Sequence, residues 1–244
     1  MRKIYKNPPI SEVVCEFQFG PDSPWDFTIP GLVYEKVRAT FPKRSQVARV
    51  TMGISADQGT IGQQIGTLPV MRFSSEDEKV LIQVGPHLLS VHHLKPYSSW
   101  ERFLPFIEES FKAYCEVATP KSIHRIGLRY VNSIQITGQN INLEDYFEFR
   151  PYIGPNLPTT IGPFMMAVQL PFEGSRDTLN LQLASLAGIS SDVASIILDL
   201  DYFLVKPNEV ELDKISAWIN NAHKQVGDTF NACITARLEQ TFEE

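Results

Sequence analysis

The sequence predicts an α+β fold of antiparallel sheets, arranged as two similar strand-rich halves that each lead into a long helix. Three observations carry this. Short runs of alternating apolar residues are separated by Gly, Pro or acidic turns rather than by helices, which suits antiparallel pairing and not a doubly wound parallel sheet. Two later segments, beginning near Trp100 and Leu212, place apolar residues at helical intervals instead. Between them, residues 122–136 read as a strand with two contrasting faces.

The first strand is marked by Val13, Cys15, Phe17 and Phe19, alternating with Glu12, Val14, Glu16 and Gln18. Asn7-Pro8-Pro9 imposes an extended lead-in, and Gly20-Pro21 ends the run. A short helix is expected over 32–41, stopped by Pro42. Residues 51–69 are rich in Gly, Gln, Ser and Thr, which predicts a long mobile loop or a weak hairpin able to act as a lid. Strand character returns over 70–73, 79–84 and 88–94, divided by Glu76-Asp77-Glu78 and by Gly85-Pro86. Ser98 and Glu101 then have capping-box spacing. Trp100, Phe103, Leu104, Ile107, Phe111, Tyr114 and Cys115 line one face of the helix that follows. Pro105 is expected to kink that helix or to move its start.

In residues 122–136, Ile126, Leu128, Tyr130, Ile134 and Ile136 share one face of the strand, and Arg125, Gly127 and Arg129 the other. The first face can pack on a core. The second sets two guanidiniums beside a residue with no side chain. Further strands are expected over 164–172, 178–184 and 194–205, split by Gly174 and Gly188. Asn208 and Glu211 repeat the capping-box spacing. The last helix shows Leu212, Ile215, Ile219, Ala222, Val226, Phe230 and Ile234 on one side and is expected to run past Leu238. The chain reads as one compact unit that divides into packed halves, 1–138 and 139–244.

With 43% hydrophobic and 11% aromatic residues in 244, the chain has ample material for a core. A net charge of −6 argues against nucleic acid as the main partner, although Lys43, Arg44 and Arg49 form a local basic group. No apolar run reaches the roughly 20 residues that span a bilayer. The start, Met-Arg-Lys-Ile-Tyr-Lys, has no apolar signal-peptide core behind its charges. Cys15, Cys115 and Cys233 are odd in number and sit in apolar patterns, as buried free thiols of a reducing compartment would. A cytoplasmic protein is the expectation.

Candidate chemistry is sparse. His92 and His93 point to opposite faces of a strand and cannot grip one metal together, so no metal and no cofactor is expected. Asp199 and Asp201 share a strand face about 7 Å apart. They suit carboxylate pairing with Arg125 and Arg129, plain solvation, a divalent cation held with a third ligand, or an acid and base pair of hydrolase type. Tyr97 and Trp100 form an aromatic wall beside His92 or pack against the sheet. No glycine-rich phosphate loop and no nucleophile elbow occurs, and no catalytic residue is assigned.

Asn7-Pro8-Pro9-Ile10 running into Glu12-Val13, Pro96-Tyr97 followed by Trp100, and Arg125-Ile126-Gly127-Leu128-Arg129-Tyr130-Val131-Asn132 resemble an uncharacterised, sporadically distributed prokaryotic family of about this length. The resemblance extends to the last helix, with His223, Phe230 and Ile234-Thr235. It implies the fold and length but no activity, and a patchy distribution of the kind shown by phage-defence and toxin–antitoxin genes. Three readings stand open. The first is a non-enzymatic accessory protein that binds a protein partner. The second is a sensor whose small anionic ligand is anchored by Arg125 and Arg129. The third is a hydrolase-type enzyme using Asp199 and Asp201. Homo-oligomerisation is compatible with each.

Overall fold

The computed structural model describes residues 5–57, 60–138, 141–157, 162–185 and 192–243. Its strands are β1 (Ile10–Phe19), β2 (Lys43–Asp57), β3 (Thr60–Ser74), β4 (Val80–Gly85), β5 (Leu88–Leu94), β6 (Ile123–Thr137), β7 (Phe164–Phe172), β8 (Asp177–Ser185) and β9 (Val193–Leu204). Its α-helices are α1 (Ile29–Val37), α2 (Trp100–Ala118), α3 (Ile215–Cys233) and α4 (Ala236–Thr241). The α+β class and antiparallel pairing are as expected. The sheets, however, are one nine-stranded sheet in the order β2-β3-β4-β5-β1-β6-β9-β8-β7. Among the described residues no helix is long and apolar enough to cross a membrane.

The chain forms two compact units, and they do not divide at residue 138. One comprises Met1–Val14, Leu94–Tyr97 and Arg125–Glu244, the other Cys15–His93 and Ser98–His124. From Arg125 onward β6 falls in the first of these with β9, whose carboxylates its charged face meets.

In the unit holding α1 and α2, the core forms where the alternating residues of β1 meet the apolar helix faces. Cys15, Phe17, Ile82, Val84, Leu89 and Val91 are buried together with Val33, Val37, Phe103 and Ile107. Phe19 stacks on Tyr114 with ring centroids 4.4 Å apart. The helix α1 begins three residues before the expected span because Pro30 sits in its first turn, where a missing N–H costs nothing. Residues 51–57 and 60–69, expected as a loop or weak hairpin, belong to a hairpin whose register runs from Lys43↔Ser74 to Asp57↔Thr60. A polar composition does not exclude strand pairing, because the ladder bonds are made by the backbone. The start of α2 also differs from expectation. Ser99 is the cap and accepts from Arg102 N–H at 3.3 Å, while the Ser98 hydroxyl meets His93 Nε2 at 2.9 Å. Pro105 lies within the helix, which starts at Trp100.

In the other unit, rows of apolar residues cross four strands in register. Tyr130 faces Leu200, Leu200 faces Leu181, and Leu181 faces Val168. The helix α3 covers this face with Ile215, Trp218, Ile219, Ala222 and Val226, all buried. No capping box forms at Asn208 and Glu211. Asn208 takes up φ 64° in the turn after β9, a conformation Asn tolerates, and α3 starts later at Ile215. The last helix does not run on past Leu238. Ile234 is extended and bridges Phe147, and Thr235 caps α4 by accepting from Leu238 N–H at 3.3 Å.

One polar group is held inside this core. Asp177 is fully buried and accepts from Trp218 Nε1 at 3.0 Å, Tyr202 Oη at 3.1 Å and Arg176 Nη2 at 2.6 Å. A buried carboxylate is tolerable only with such partners. Burial, followed by the charge of Asp177, pushes the Tyr202 phenol well above its ordinary range.

All three cysteines are free thiols, with Cys15 and Cys233 buried and Cys115 half-buried. Burial pushes Cys233 up to about 11 and Cys115 to about 12, and it raises Cys15 furthest. Each raised thiol stabilises the fold while protonated, and that contribution is lost as pH rises from about 8.5 through the folded values. Alkylation of the native protein at pH 8 should therefore be slow and should not accelerate through about 8.5 as a free thiol does. Denaturation should expose all three sites. Rapid native labelling at one cysteine, read by mass spectrometry, would show a reactive thiol instead.

Candidate functional site

The charged face of β6 meets the charged face of β9, and the strand register decides what can pair. Arg129 lies directly opposite Asp201, Gly127 opposite Phe203, and Val131 opposite Asp199. Each arginine reaches along the sheet beyond its direct neighbour. Arg129 grips Asp199 with two nitrogens, Nε lying 2.8 Å from Oδ1 and 3.1 Å from Oδ2, while Nη2 donates to Oδ2. Arg125 Nη2 donates to Asp201 Oδ2 at 3.0 Å. The two pairs differ in solvation. The Asp199 side chain is 7% exposed against 50% for Arg129, whereas Asp201 and Arg125 are 24% and 26% exposed.

Gly127 makes the second pair feasible. The Arg125 guanidinium folds along the strand over it, 4.7 Å from the centre of the Phe203 ring on β9. A Cβ at position 127 would come within 2.8 Å of Arg125 Nη1. The bare residue leaves room for the folded side chain of its neighbour on the same face, and a Cβ there would oblige only the flexible end of Arg125 to move. The hydrogen bonds that Arg129 donates to Asp199 raise its guanidinium above its ordinary range against the opposing effect of burial, and the charges of Asp199, Asp201 and Glu12 add to the rise. The arrangement neutralises charge, since both carboxylates accept from guanidiniums.

The opposite face of β6 carries a polar device of its own. Tyr130 is buried, and its hydroxyl meets His223 Nδ1 on α3 at 2.8 Å and the Tyr97 hydroxyl at 3.4 Å. A chain of hydrogen bonds therefore runs from the segment after β5, through β6, to the helix above. Asn132, on the same face, donates to the Leu198 carbonyl at 3.0 Å. These contacts bring together Tyr97, the Tyr130 strand motif and His223. Sequence reasoning grouped none of them chemically. The available signal was a phenol and an amide standing at core-facing positions, which need partners once buried.

The remaining candidates occupy separate surroundings. His92 and His93 do point to opposite faces, and only His93 is fully buried. His92 Nε2 meets Ser90 Oγ at 2.9 Å, and the His93 ring lies edge-on to Phe103 with centroids 5.5 Å apart. Tyr97 packs against Tyr130 at 6.0 Å and Trp100 against Phe103 at 6.4 Å, both edge to face. Of the basic group after α1, Lys43 bonds Glu78 at 3.0 Å and Arg44 lies over the Tyr34 ring, while the Arg49 side chain falls outside the described residues. An open groove of about 250 Å³ is lined by Gln18, Phe19, Leu68, Pro86, His87, Leu88 and His124, and neither Arg125 nor Arg129 borders it.

No family model and no curated protein matches this chain.

The crowding over Gly127 gives a direct check. Gly127→Ala should push the flexible end of Arg125 off the Phe203 ring at a cost of about 0.5–1 kcal/mol, the scale of one exposed cation–π contact. In an Arg125→Ala background the same change should be neutral or slightly stabilising, because Ala suits a strand better than Gly. Equal losses in both backgrounds, measured by urea unfolding, would show that position 127 is crowded by something other than Arg125.

Proposed function

We propose that this chain is a non-enzymatic accessory protein that binds a protein partner, of the kind carried by phage-defence or toxin–antitoxin loci. The observation that carries the reading is a short segment of exposed large apolar side chains. Tyr152 is 87% exposed, Leu157 59% and Ile153 38%. Single exposed apolar residues need no explanation, but three within six positions form a patch suited to a protein interface. The segment is anchored at its base. Arg150 Nη1 donates to the Phe147 carbonyl at 2.9 Å, and Leu157 N–H donates to the Gly154 carbonyl at 3.0 Å. Tyr offers a large, rigid contact area with only two side-chain torsions to fix on docking, which is why it is frequent among the residues that dominate binding energy.

The competing readings lean on groups that are already engaged. An anion sensor needs Arg125 and Arg129, which pair with Asp201 and Asp199. A hydrolase needs the same two aspartates. The patchy distribution of the family this sequence resembles fits an accessory role.

A photo-crosslinking residue at position 152, expressed in the native host, should yield a discrete protein adduct. Tyr152→Ala should weaken recovery of that partner by about 2 kcal/mol, roughly 30-fold in affinity. The melting temperature should stay unchanged, because the side chain touches little of its own fold. No adduct, combined with stabilisation by a small anion that Arg129→Ala abolishes, would favour the sensor reading.

A further inference from the structure

The outer strand β7 is only lightly protected as an edge. It is the last strand of the sheet order and pairs with β8 on one side. Natural edge strands are commonly short, charged, bulged or interrupted by proline, because their open backbone groups recruit other strands, and of these devices β7 has only Pro171 near its end. This one has nine residues, Phe-Met-Met-Ala-Val-Gln-Leu-Pro-Phe, without a single charge. Met165 is 67% and Val168 39% exposed.

The ladder parity shows which backbone groups are open. Val205 N–H bonds the Arg176 carbonyl at 2.9 Å, so in the register of β8 with β9 the even-numbered residues of β8 bond β9 and the odd-numbered ones bond β7. Leu179 and Leu181 therefore bond Leu170 and Val168. Met165, Ala167, Gln169 and Pro171 turn their backbone groups outward. The proline, which has no N–H to give, stands in the outward set, where β8 loses nothing.

We propose that β7 is the homodimer interface of this protein, pairing antiparallel with β7 of a second copy about a two-fold axis at Val168. This goes beyond the partner-binding reading and does not depend on it, since it uses a different surface. The strand is self-complementary in this register. Ala167 and Gln169 exchange N–H and C=O groups with Gln169 and Ala167 of the other copy. Met165 N–H donates to the Pro171 carbonyl, so the missing proline N–H falls at the outermost rungs. On the apolar face Phe164 meets Phe172, Met166 meets Leu170, and Val168 meets itself. Antiparallel self-pairing sets every residue against its mirror position, so a charged strand would meet its own charges. The absence of charge from β7 removes that barrier, and the half-covered apolar face gains a partner of the same kind.

Sedimentation of the full chain tests this. The wild type should sediment at twice the 27.6 kDa chain mass at micromolar concentration. Val168→Lys brings two ammonium groups together on the axis and should weaken the dimer by roughly 100-fold or more. Gln169→Pro removes an outward N–H that β8 does not use, and should also yield monomer. Both variants should keep the wild-type circular dichroism spectrum, which separates lost pairing from lost folding. A wild type that stays monomeric up to its solubility limit would overturn the proposal. So would a dimer that both folded variants leave intact, or a monomer whose β7 edge captures a different strand.

Discussion

The register of β6 on β9 is the constraint on which the C-terminal unit depends. Side chains on a strand alternate faces, so a slip of one residue would send Arg125 and Arg129 into the core and expel Ile126, Leu128 and Tyr130. The two arginine–aspartate pairs add a polar preference to that apolar one. They hold only if Arg129 stands opposite Asp201 and Gly127 opposite Phe203. Each guanidinium reaches diagonally to its carboxylate, so the pairs report both the register and the direction in which the side chains lean.

A second polar anchor works at the edge of the same unit. Asp177 has the parity of Leu179, Leu181 and Leu183 and therefore faces the core, where Tyr202 and Trp218 donate to it and Arg176 neutralises it. It ties the start of β8 to β9 and α3 by directional bonds, which hydrophobic packing alone does not supply. The hydrogen-bonded run from Tyr97 through Tyr130 to His223 links the strand to the same helix by another route. Together these devices give the apolar layer a defined alignment.

The sequence made the alternation of β1, β6, β8 and β9 legible, because their apolar residues recur with period two. The pairing of two arginines with two aspartates was also readable from matching spacings on two strands. Which arginine takes which aspartate was not, since it depends on the lean of long side chains across a twisted sheet. Helix ends were read less well. Ser98 and Ser99 are equally good caps by type, and the choice falls to Ser99 because His93 engages Ser98. Asn208 has cap chemistry but serves a turn, and Thr235 starts a new helix where the apolar period continues unbroken. The hairpin over residues 51–57 and 60–69 was legible only as an alternative to a loop, because its ladder is a backbone property and its composition is polar. The phenol–imidazole contact was hidden because His223 lies ninety-three positions from Tyr130.

The proposed partner surface around Tyr152 and the proposed dimer strand β7 both stand apart from the paired charges of β6 and β9. That separation rests on Arg129 and Asp199 being partners in the fold and not a site for something else. A double-mutant cycle of Arg129→Ala and Asp199→Ala, followed by denaturant unfolding, measures the partnership directly. The account predicts a coupling of about 1.5–3 kcal/mol, as for hydrogen bonds to charged groups, with the double variant recovering part of the loss caused by stranding a nearly buried carboxylate. A coupling within the roughly 0–1 kcal/mol of a solvated surface pair would contradict it and return the arginine to the list of candidate ligand-binding groups.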